Sequence, residues 1–425
     1  MTRKLGPALL FLAPALVVLL AFVVYPIVAT IVFSFQDRTG SEFVGLTNYR
    51  EMLTNPRILT AIRNNAIWVI VVPPVVTTIG LVFAVVLEKV SYARAVKTIL
   101  FMPMAISLVA GGVIWRLVFE QEPDRGLLNA AGRAVSSVVR SPGPYPGAAP
   151  SEGVTRADGA LVAEKTVRPG EVLALGLLQL SKSEVPVQAR PAALPAEVSA
   201  RSVAGVVFRD FTPGASGRRG VVDRGEVGLP GMLVELRGGP VEVAGSATTD
   251  ERGRFEIGPL PPGGYRAVLA ASNFRPAFEG IEWLGPTLVT PSIIAAYTWI
   301  WAGFAMVVIG AGLAAISREV LEAARVDGAS EWQTFRYITA PLLAPVLLVV
   351  LVTMVIYVLK IFDIVLVIAP SGVQDEANVI ALEMWQTAFG ARNLGLGSAV
   401  AVLLFVLVVP IMALNIRRFR AAEGS

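Results

Sequence analysis

Glu322-Ala323-Ala324-Arg325-Val326-Asp327-Gly328-Ala329 is a polar island between two long apolar runs, 288–316 and 341–368, and is followed by Phe335, Ile338 and Pro341. The stretch Arg318–Val326 is rich in Ala, Leu and Glu, with Val320 the one β-branched residue ahead of Val326, so its helix propensity is high. Asp327-Gly328 predicts a stop, because glycine accepts the left-handed backbone that commonly follows a helix end. Ser330 with Gln333 three residues on has the form of a capping box opening a second helix. The spacing thus predicts two short helices set at an angle. Their apolar residues, Leu321, Ala323, Ala324, Trp332 and Phe335, are too few to build a core, so they are expected to bury against another body. The bland alternative is an amphipathic helix lying on a lipid surface.

Working outward, hydrophobic residues make up 54% of the 425-residue chain and charged residues only 16%, a balance that points to several membrane spans. Six runs are long enough to cross a hydrocarbon core of about 30 Å: residues 8–33, 67–87, 99–119, 288–316, 341–368 and 396–414. The first is too long for a signal-peptide core and lacks a small-residue cleavage site, so it reads as a retained span. An even number of spans puts both termini on one side. Arg3, Lys4, Lys89, Arg94, Lys97, Arg318, Arg325, Arg336, Arg417, Arg418 and Arg420 all fall there, which the positive-inside rule makes cytoplasmic. The segment 37–63 dissents, with Arg38, Arg50, Arg57 and Arg63 on the opposite side.

The chain has no Cys and no His, which excludes disulfides, thiol nucleophiles, His or Cys zinc sites and His-based acid-base chemistry. The net charge of +4 fits basic loops beside anionic lipid, and no aromatic-basic motif points to nucleic acid. No Gly-x-x-x-x-Gly-Lys-Ser/Thr phosphate loop occurs either, so the chain cannot itself supply ATP hydrolysis.

From 121 to 283 the apolar runs give way to Gly, Pro, Arg, Glu and Val, a stretch too long for a simple loop. Residues 121–160 read as linker, and 161–283 as β-rich. The strands are expected at Val203–Arg209, from Met232 to Arg237, at Arg254–Ile257 and at Tyr265–Leu269, punctuated by Gly238-Gly239-Pro240 and Pro261-Pro262-Gly263-Gly264. Gly205 to Asp210, Gly228-Leu229-Pro230-Gly231, Thr249-Asp250 and Leu260-Pro261-Pro262-Gly263 resemble Ig-like or prealbumin-like β-sandwich modules, over residues 202–271. Some such modules bind calcium, which makes Asp210, Asp223 and Glu226 weak candidates; Thr212-Pro213-Gly214 and Arg218-Arg219 interrupt any compact acidic loop, and solvated loop acids are the plainer reading.

The membrane part carries a second likeness. Phe43-Val44-Gly45-Leu46 with Asn48-Tyr49, then Trp301, Gly303 and Phe304, then Ala311-Gly312-Leu313 before Ile316, the 322–329 island, and Phe362-Asp363 resemble the inner-membrane permease subunit of binding-protein-dependent ABC importers, within it the carbohydrate-uptake permeases of the maltose and glycerol-3-phosphate type. The likeness covers 1–130 and 280–425. Two features depart from it: Ala340-Pro341 stands where Leu-Pro is usual, and a β-domain between the third and fourth spans is no standard part of the core.

The resemblance implies a mainly α, six-span bundle in a bacterial or archaeal inner (plasma) membrane, made of spans 1–120 and 284–425 around an extracytoplasmic insert. It also implies a second permease, a cytoplasmic ATPase dimer carrying ATP and Mg, and an external solute-binding protein. The loop 317–341 would then be the coupling helix, with Glu322, Ala323, Ala324, Asp327, Gly328, Ala329, Phe335 and Pro341 at the ATPase. Polar groups inside the bundle become candidates for the solute path, since a polar side chain facing lipid is costly: Asn64, Asn65, Thr77, Thr78, Ser107, Tyr297, Trp299, Trp301, Thr353, Tyr357, Lys360 and Asp363. Lys360 and Asp363, at i and i+3, are expected to pair on one helix face, as a functional or as an interfacial pair. For the span-four aromatics an interfacial belt competes with sugar stacking. The open alternatives are a permease for amino acids, peptides or ions, or a membrane-anchored adhesion protein acting through its β-domain.

Overall fold

The computed structural model describes residues 5–423 apart from 89, 91, 140, 212–216 and 239–241, and divides into two compact units. One holds residues 1–121, 125–127 and 281–425; the other holds 122–124 and 128–280. The sequence readings on Arg3, Lys4, Lys89, Thr212-Pro213-Gly214 and Gly239-Pro240 lie outside the described residues.

The first unit is helical. Helix α1 (Leu5–Leu19) runs through a π-helical turn, Leu20–Val24, into α2 (Tyr25–Phe33). There the Tyr25 N–H bonds the Leu20 carbonyl and Pro26 follows, so the widened turn falls where proline would otherwise interrupt the ladder. Next come α3 (Thr47–Met52) and α4 (Pro56–Glu88), the second span. The third run is not one straight helix. α5 (Ala93–Phe101) passes through a 3-10 turn, Met102–Ala105, before α6 (Leu108–Val118), and the two halves bend by 103°. Pro103 opens the tight turn, Ile106 is extended, and the Ser107 hydroxyl caps α6 by accepting from the Ala110 N–H. Helix α7 (Leu127–Val139) opens the other unit.

The remaining helices are α8 (Val289–Ala314), α9 (Arg318–Val326), α10 (Glu331–Thr334), α11 (Ala340–Leu359), α12 (Asp363–Ile368), α13 (Ile380–Trp385) and α14 (Leu394–Glu423). Among the described residues five helices are long and apolar enough to cross a membrane, or six with the bent pair taken as one span. Spans α4 and α8 pack closely: Trp68, Val72 and Val76 are buried, and a Cβ on Gly80 would sit 2.5 Å from that of Ala305. Small residues permit such approach where lipid offers no hydrophobic drive between helices.

The second unit holds two five-stranded sheets. The strands are β1 (Ala149–Pro150), β2 (Val154–Ala157), β3 (Ala160–Val167), β4 (Val172–Leu178), β5 (Val203–Arg209), β6 (Val227–Gly228), β7 (Leu233–Arg237), β8 (Val243–Thr248), β9 (Arg254–Ile257) and β10 (Tyr265–Leu269). One sheet runs β1-β4-β5-β6 with β9 also on β5, and β4 and β5 are parallel, Val172 facing Ala204. The other is antiparallel, β2-β3-β10-β7-β8. Leu161, Val234, Leu236 and Leu269 from one sheet meet Leu175, Leu177 and Val207 from the other in a shared core, each such side chain worth ~1.5–3 kcal/mol of burial.

The four strands expected in the second half of the insert are present. The stretch read as linker is not bare. It contains α7, β1 and β2, and Tyr145 is wholly buried, donating to the Pro230 carbonyl at 2.8 Å, while burial pushes its hydroxyl pKa up. Pro, Gly and Ala composition hid these elements because β1 and β2 are only two and four residues long.

Candidate coupling loop and polar bundle interior

The polar island folds as its residues dictate. Ser317 caps α9 by accepting from the Glu319 N–H at 3.2 Å, and α9 stops at Asp327. Gly328 takes φ of +81°, with open space around its missing Cβ. Ser330 and Gln333 form the reciprocal capping box: the Ser330 N–H donates to Gln333 Oε1 at 2.8 Å, and the Gln333 N–H donates to Ser330 Oγ at 3.3 Å. Arg325 and Glu331 pair across the turn at 3.3 Å, both exposed.

The second helix is not short. Residues Glu331–Leu359 form one 29-residue rod, in which the π-turn Phe335–Thr339 joins α10 to α11 and Ala340 N–H bonds the Phe335 carbonyl just before Pro341. Proline here, at the start of α11, sits inside a continuous helix and does not close the loop. The elbow is therefore rigidly connected to the fifth span. Ala324 is buried, whereas Glu322, Ala323, Asp327 and Pro341 are exposed, Phe335 and Ala329 half-buried. Val326, Trp332 and Tyr337 stand 86%, 66% and 70% exposed, so this chain leaves the apolar tip of the elbow uncovered. Thr78 opens here too: it lines a cavity of about 710 Å³ with Leu321, Arg325, Trp332 and Phe335.

Asn64 and Asn65 do not face a cavity. Both are buried in α4, Asn64 donating to the carbonyls of Glu376 and Asn378 at 2.7 and 2.8 Å. Asn65 accepts from the Ile380 N–H at 2.7 Å and donates to the Leu359 carbonyl at 3.3 Å. Between them they satisfy the backbone at the end of α11 and in the segment 376–380 that leads into α13. That run ends at Leu359, not Ile368; Lys360 caps α11 and Asp363 opens α12, so the two stand on different helices and no ion pair joins them among the described residues.

Glu383, which no sequence pattern singled out, lies on α13 beside the segment 376–380. It is 4% exposed, accepts from Asn378 Nδ2 and from Thr387 Oγ1 (3.0 Å), and has Arg57 at 3.8 Å. Its helical i, i+4 spacing to Thr387 inside an apolar segment was the available signal.

Three path candidates do converge. Trp301 lies 4.8 Å from Tyr357 and 5.9 Å from Tyr297, centroid to centroid, and Tyr297 meets Trp68 edge-on at 5.5 Å. The indole nitrogens of Trp68 and Trp301 are buried without a partner, and Tyr357 is 40% exposed. Thr353 is half-buried one turn before Tyr357 on α11. Trp299 points elsewhere, packing on Trp115 at 5.6 Å. Thr77 is buried with its hydroxyl unpartnered, and Ser107 is spent as a cap.

In the β unit the calcium candidates turn to separate donors. Asp210 accepts from the Ser151 hydroxyl and the Gly220 N–H, Asp223 from the Arg218 N–H, and Glu226 from the Asp223 N–H. Among the described residues no three acidic groups gather as a metal site, and each of these carboxylates accepts from a loop N–H.

Residues 266–420 match the family described as binding-protein-dependent transport system inner membrane component. The chain is 30% identical over 418 residues to the osmoprotective compounds uptake permease protein GgtC of Synechocystis sp., covering 97% of this chain and 99% of that one, so the shared length takes in the β unit. It is 28% identical to the alpha-glucoside transport system permease protein AglF of Rhizobium meliloti, over 98% and 83% of the two chains. A chain of a bacterial ABC transporter that imports the acidic polysaccharide alginate shares the fold, with a TM-score of 0.55 and 15% identity over 96% of this chain and 94% of its own. An elbow joined to an apolar helical rod, five or six apolar spans and 30% identity to a permease protein over nearly the full length of both chains place this chain in the family of binding-protein-dependent transport system inner membrane components, the permease subunits of ABC importers.

Proposed function

We propose that this subunit, with a second permease, lines the path of a sugar or sugar-like solute delivered by an external binding protein, and that two ATPase subunits on other chains drive it. The observation that carries the reading is the elbow 317–341: Val326, Trp332 and Tyr337 are left exposed on a turn fixed by Gly328 and a capping box, and rigidly continuous with α11. A partner that fills this tip and moves it moves the span, which is the alternating-access logic of transporters. Glu322 faces out for a basic group on the ATPase, and the small Ala323 permits close approach.

The membrane is a bacterial or archaeal plasma membrane. Both termini and the elbow lie in the cytoplasm with the basic loops, and the insert 121–283 lies outside. Within the bundle, Trp301 and the 40% exposed Tyr357 are the sugar contacts, their ring faces stacking on the apolar faces of pyranoses, with the buried Tyr297 and Trp68 packed behind them. The names of the relatives, an alpha-glucoside permease among them, support a carbohydrate over an amino acid, peptide or ion.

The test is reconstitution of the four-subunit complex in liposomes with its binding protein and a panel of oligosaccharides, amino acids and peptides. Saccharide-dependent uptake with matching stimulation of ATP hydrolysis is expected; uptake confined to amino acids or peptides would refute the solute class.

A further inference from the structure

The cavity beneath the elbow follows one face of a span and ends in charge. On α4, Thr78, Leu81, Val82 and Val85 stand at i, i+3, i+4 and i+7 and so share that face. Leu313 of α8, Leu321 of α9 and Phe335 of the π-turn supply the other wall. From Thr78 to Glu88 the helix rises roughly 15 Å, one leaflet of a hydrocarbon core of about 30 Å. The charged lining residues gather where helices end: Glu88 is the last residue of α4, Glu331 the first of the rod, and Arg325 lies in the last turn of α9. One turn along the rod from Glu331, Thr334 lines the cavity nine-tenths buried, and its hydroxyl has no partner among the described residues.

We propose that this cavity is a site for one phospholipid, and that the lipid is phosphatidylethanolamine. A slot that is apolar over the length of one leaflet and charged only at its end has the form of an acyl chain beneath a headgroup. The charges select the headgroup. Arg325, paired with Glu331 at 3.3 Å, keeps further N–H donors for a phosphate oxygen. Glu88, exposed at the end of α4, accepts from a primary ammonium. The buried Thr334 hydroxyl donates to an ester carbonyl, which removes the cost of leaving it unpaired. Phosphatidylglycerol, with no ammonium, would set its negative charge against two carboxylates, and the quaternary ammonium of phosphatidylcholine has no N–H to give Glu88. Seated between α4 and the elbow, the lipid braces Leu321 and Phe335 against the second span. The inference rests on reading α4 and the rod as membrane spans, and not on the solute.

The test uses the full chain, assembled with its partner subunits in phosphatidylcholine vesicles. These carry a trace of phospholipid with a photoreactive diazirine on its acyl chain, in phosphatidylethanolamine, phosphatidylglycerol or phosphatidylcholine form, and mass spectrometry locates the labelled residues. The ethanolamine probe is expected to label 78–88 severalfold more than either of the others and to be competed by unlabelled phosphatidylethanolamine. Glu88→Gln should lower that labelling to the level of the choline probe, and Val82→Trp, which fills the slot, should abolish it, with both variants still co-purifying with the partner subunits. Equal labelling by the three headgroups would show ordinary bilayer lipid, and no labelling of 78–88 in the wild type a cavity closed by protein. Either result, or a preference that survives Glu88→Gln, overturns the proposal. Because the readout needs no uptake, its failure is separable from failure of the proposed transport function.

Discussion

Asn65 and Ile380, 315 residues apart in sequence, are joined by a 2.7 Å hydrogen bond from the Ile380 N–H to the Asn65 side-chain oxygen, while the Asn65 amide holds the Leu359 carbonyl. One side chain of the second span thus satisfies both the end of α11 and the start of α13. Asn65→Leu keeps the volume but leaves a buried N–H and a buried C=O without partners, at about 1–3 kcal/mol each. Thermal unfolding in detergent should show a clear loss of stability, and Asn65→Leu as stable as wild type would contradict this.

Glu383 answers to the same region from α13. Truncation to Ala strips Asn378 and Thr387 of their acceptor, so Glu383→Ala is expected to cost about 1–3 kcal/mol, with Glu383→Gln less damaging because it keeps one acceptor oxygen. Paired melting curves of the two variants check the order.

At the elbow, Gly328→Asn should be tolerated and Gly328→Val should not. The φ of +81° is available to Asn but strained by about 1–2 kcal/mol for other residues, most of all β-branched ones, and the missing Cβ meets nothing within 4 Å, so crowding is no part of the effect. Uptake and ATP hydrolysis by the assembled complex should fall together in the Val variant while membrane insertion is unchanged.

The neighbouring ion pair is a contrast. Arg325 and Glu331 are 58% and 66% exposed, and such pairs contribute only about 0.2–1 kcal/mol. Arg325→Ala should move the melting temperature little, and less still in high salt.

In the aromatic cluster, Trp301→Ala removes the face that lies 4.8 Å from Tyr357. Loss of one stacking contact, worth about 0.5–1.5 kcal/mol, corresponds to a rise of roughly two- to twelvefold in the solute concentration for half-maximal uptake. Trp301→Phe should recover most of it; equal effects of the two variants would show that stacking is not the contribution.

Much of this was legible in sequence where a single residue imposes a backbone state. Gly328, Ser330 and Gln333 announced the elbow because left-handed backbone and reciprocal capping belong to few residue types. Apolar length announced the spans, and strand alternation the second half of the β unit. Breaks inside apolar runs were not legible: Ile106 looks like any span residue, Lys360 reads equally as a polar group within a span, and the Leu359 carbonyl at the end of α11 is met by a carboxamide nearly 300 residues away in sequence. The pairing expected of Lys360 and Asp363 failed for that reason, since i, i+3 spacing means proximity only within one helix. Asn64 and Asn65 were recognised as special but assigned to solute, because sequence cannot separate a polar group facing a cavity from one spent on backbone. Helix α7 was missed inside a stretch judged by composition, although its own apolar residues recur at helical spacing.

The central claim, that the elbow is where another subunit drives this one, is met most directly by cross-linking. A cysteine at Val326, 86% exposed at the tip, is introduced into the cysteine-free chain, and a second variant carries one at Phe211, 54% exposed in the β unit. In the reconstituted complex a short bifunctional reagent should link position 326, and not 211, to the ATPase subunit, with a yield that changes on addition of ATP. No link from 326 under any nucleotide condition, or an equal link from 211, would contradict the account.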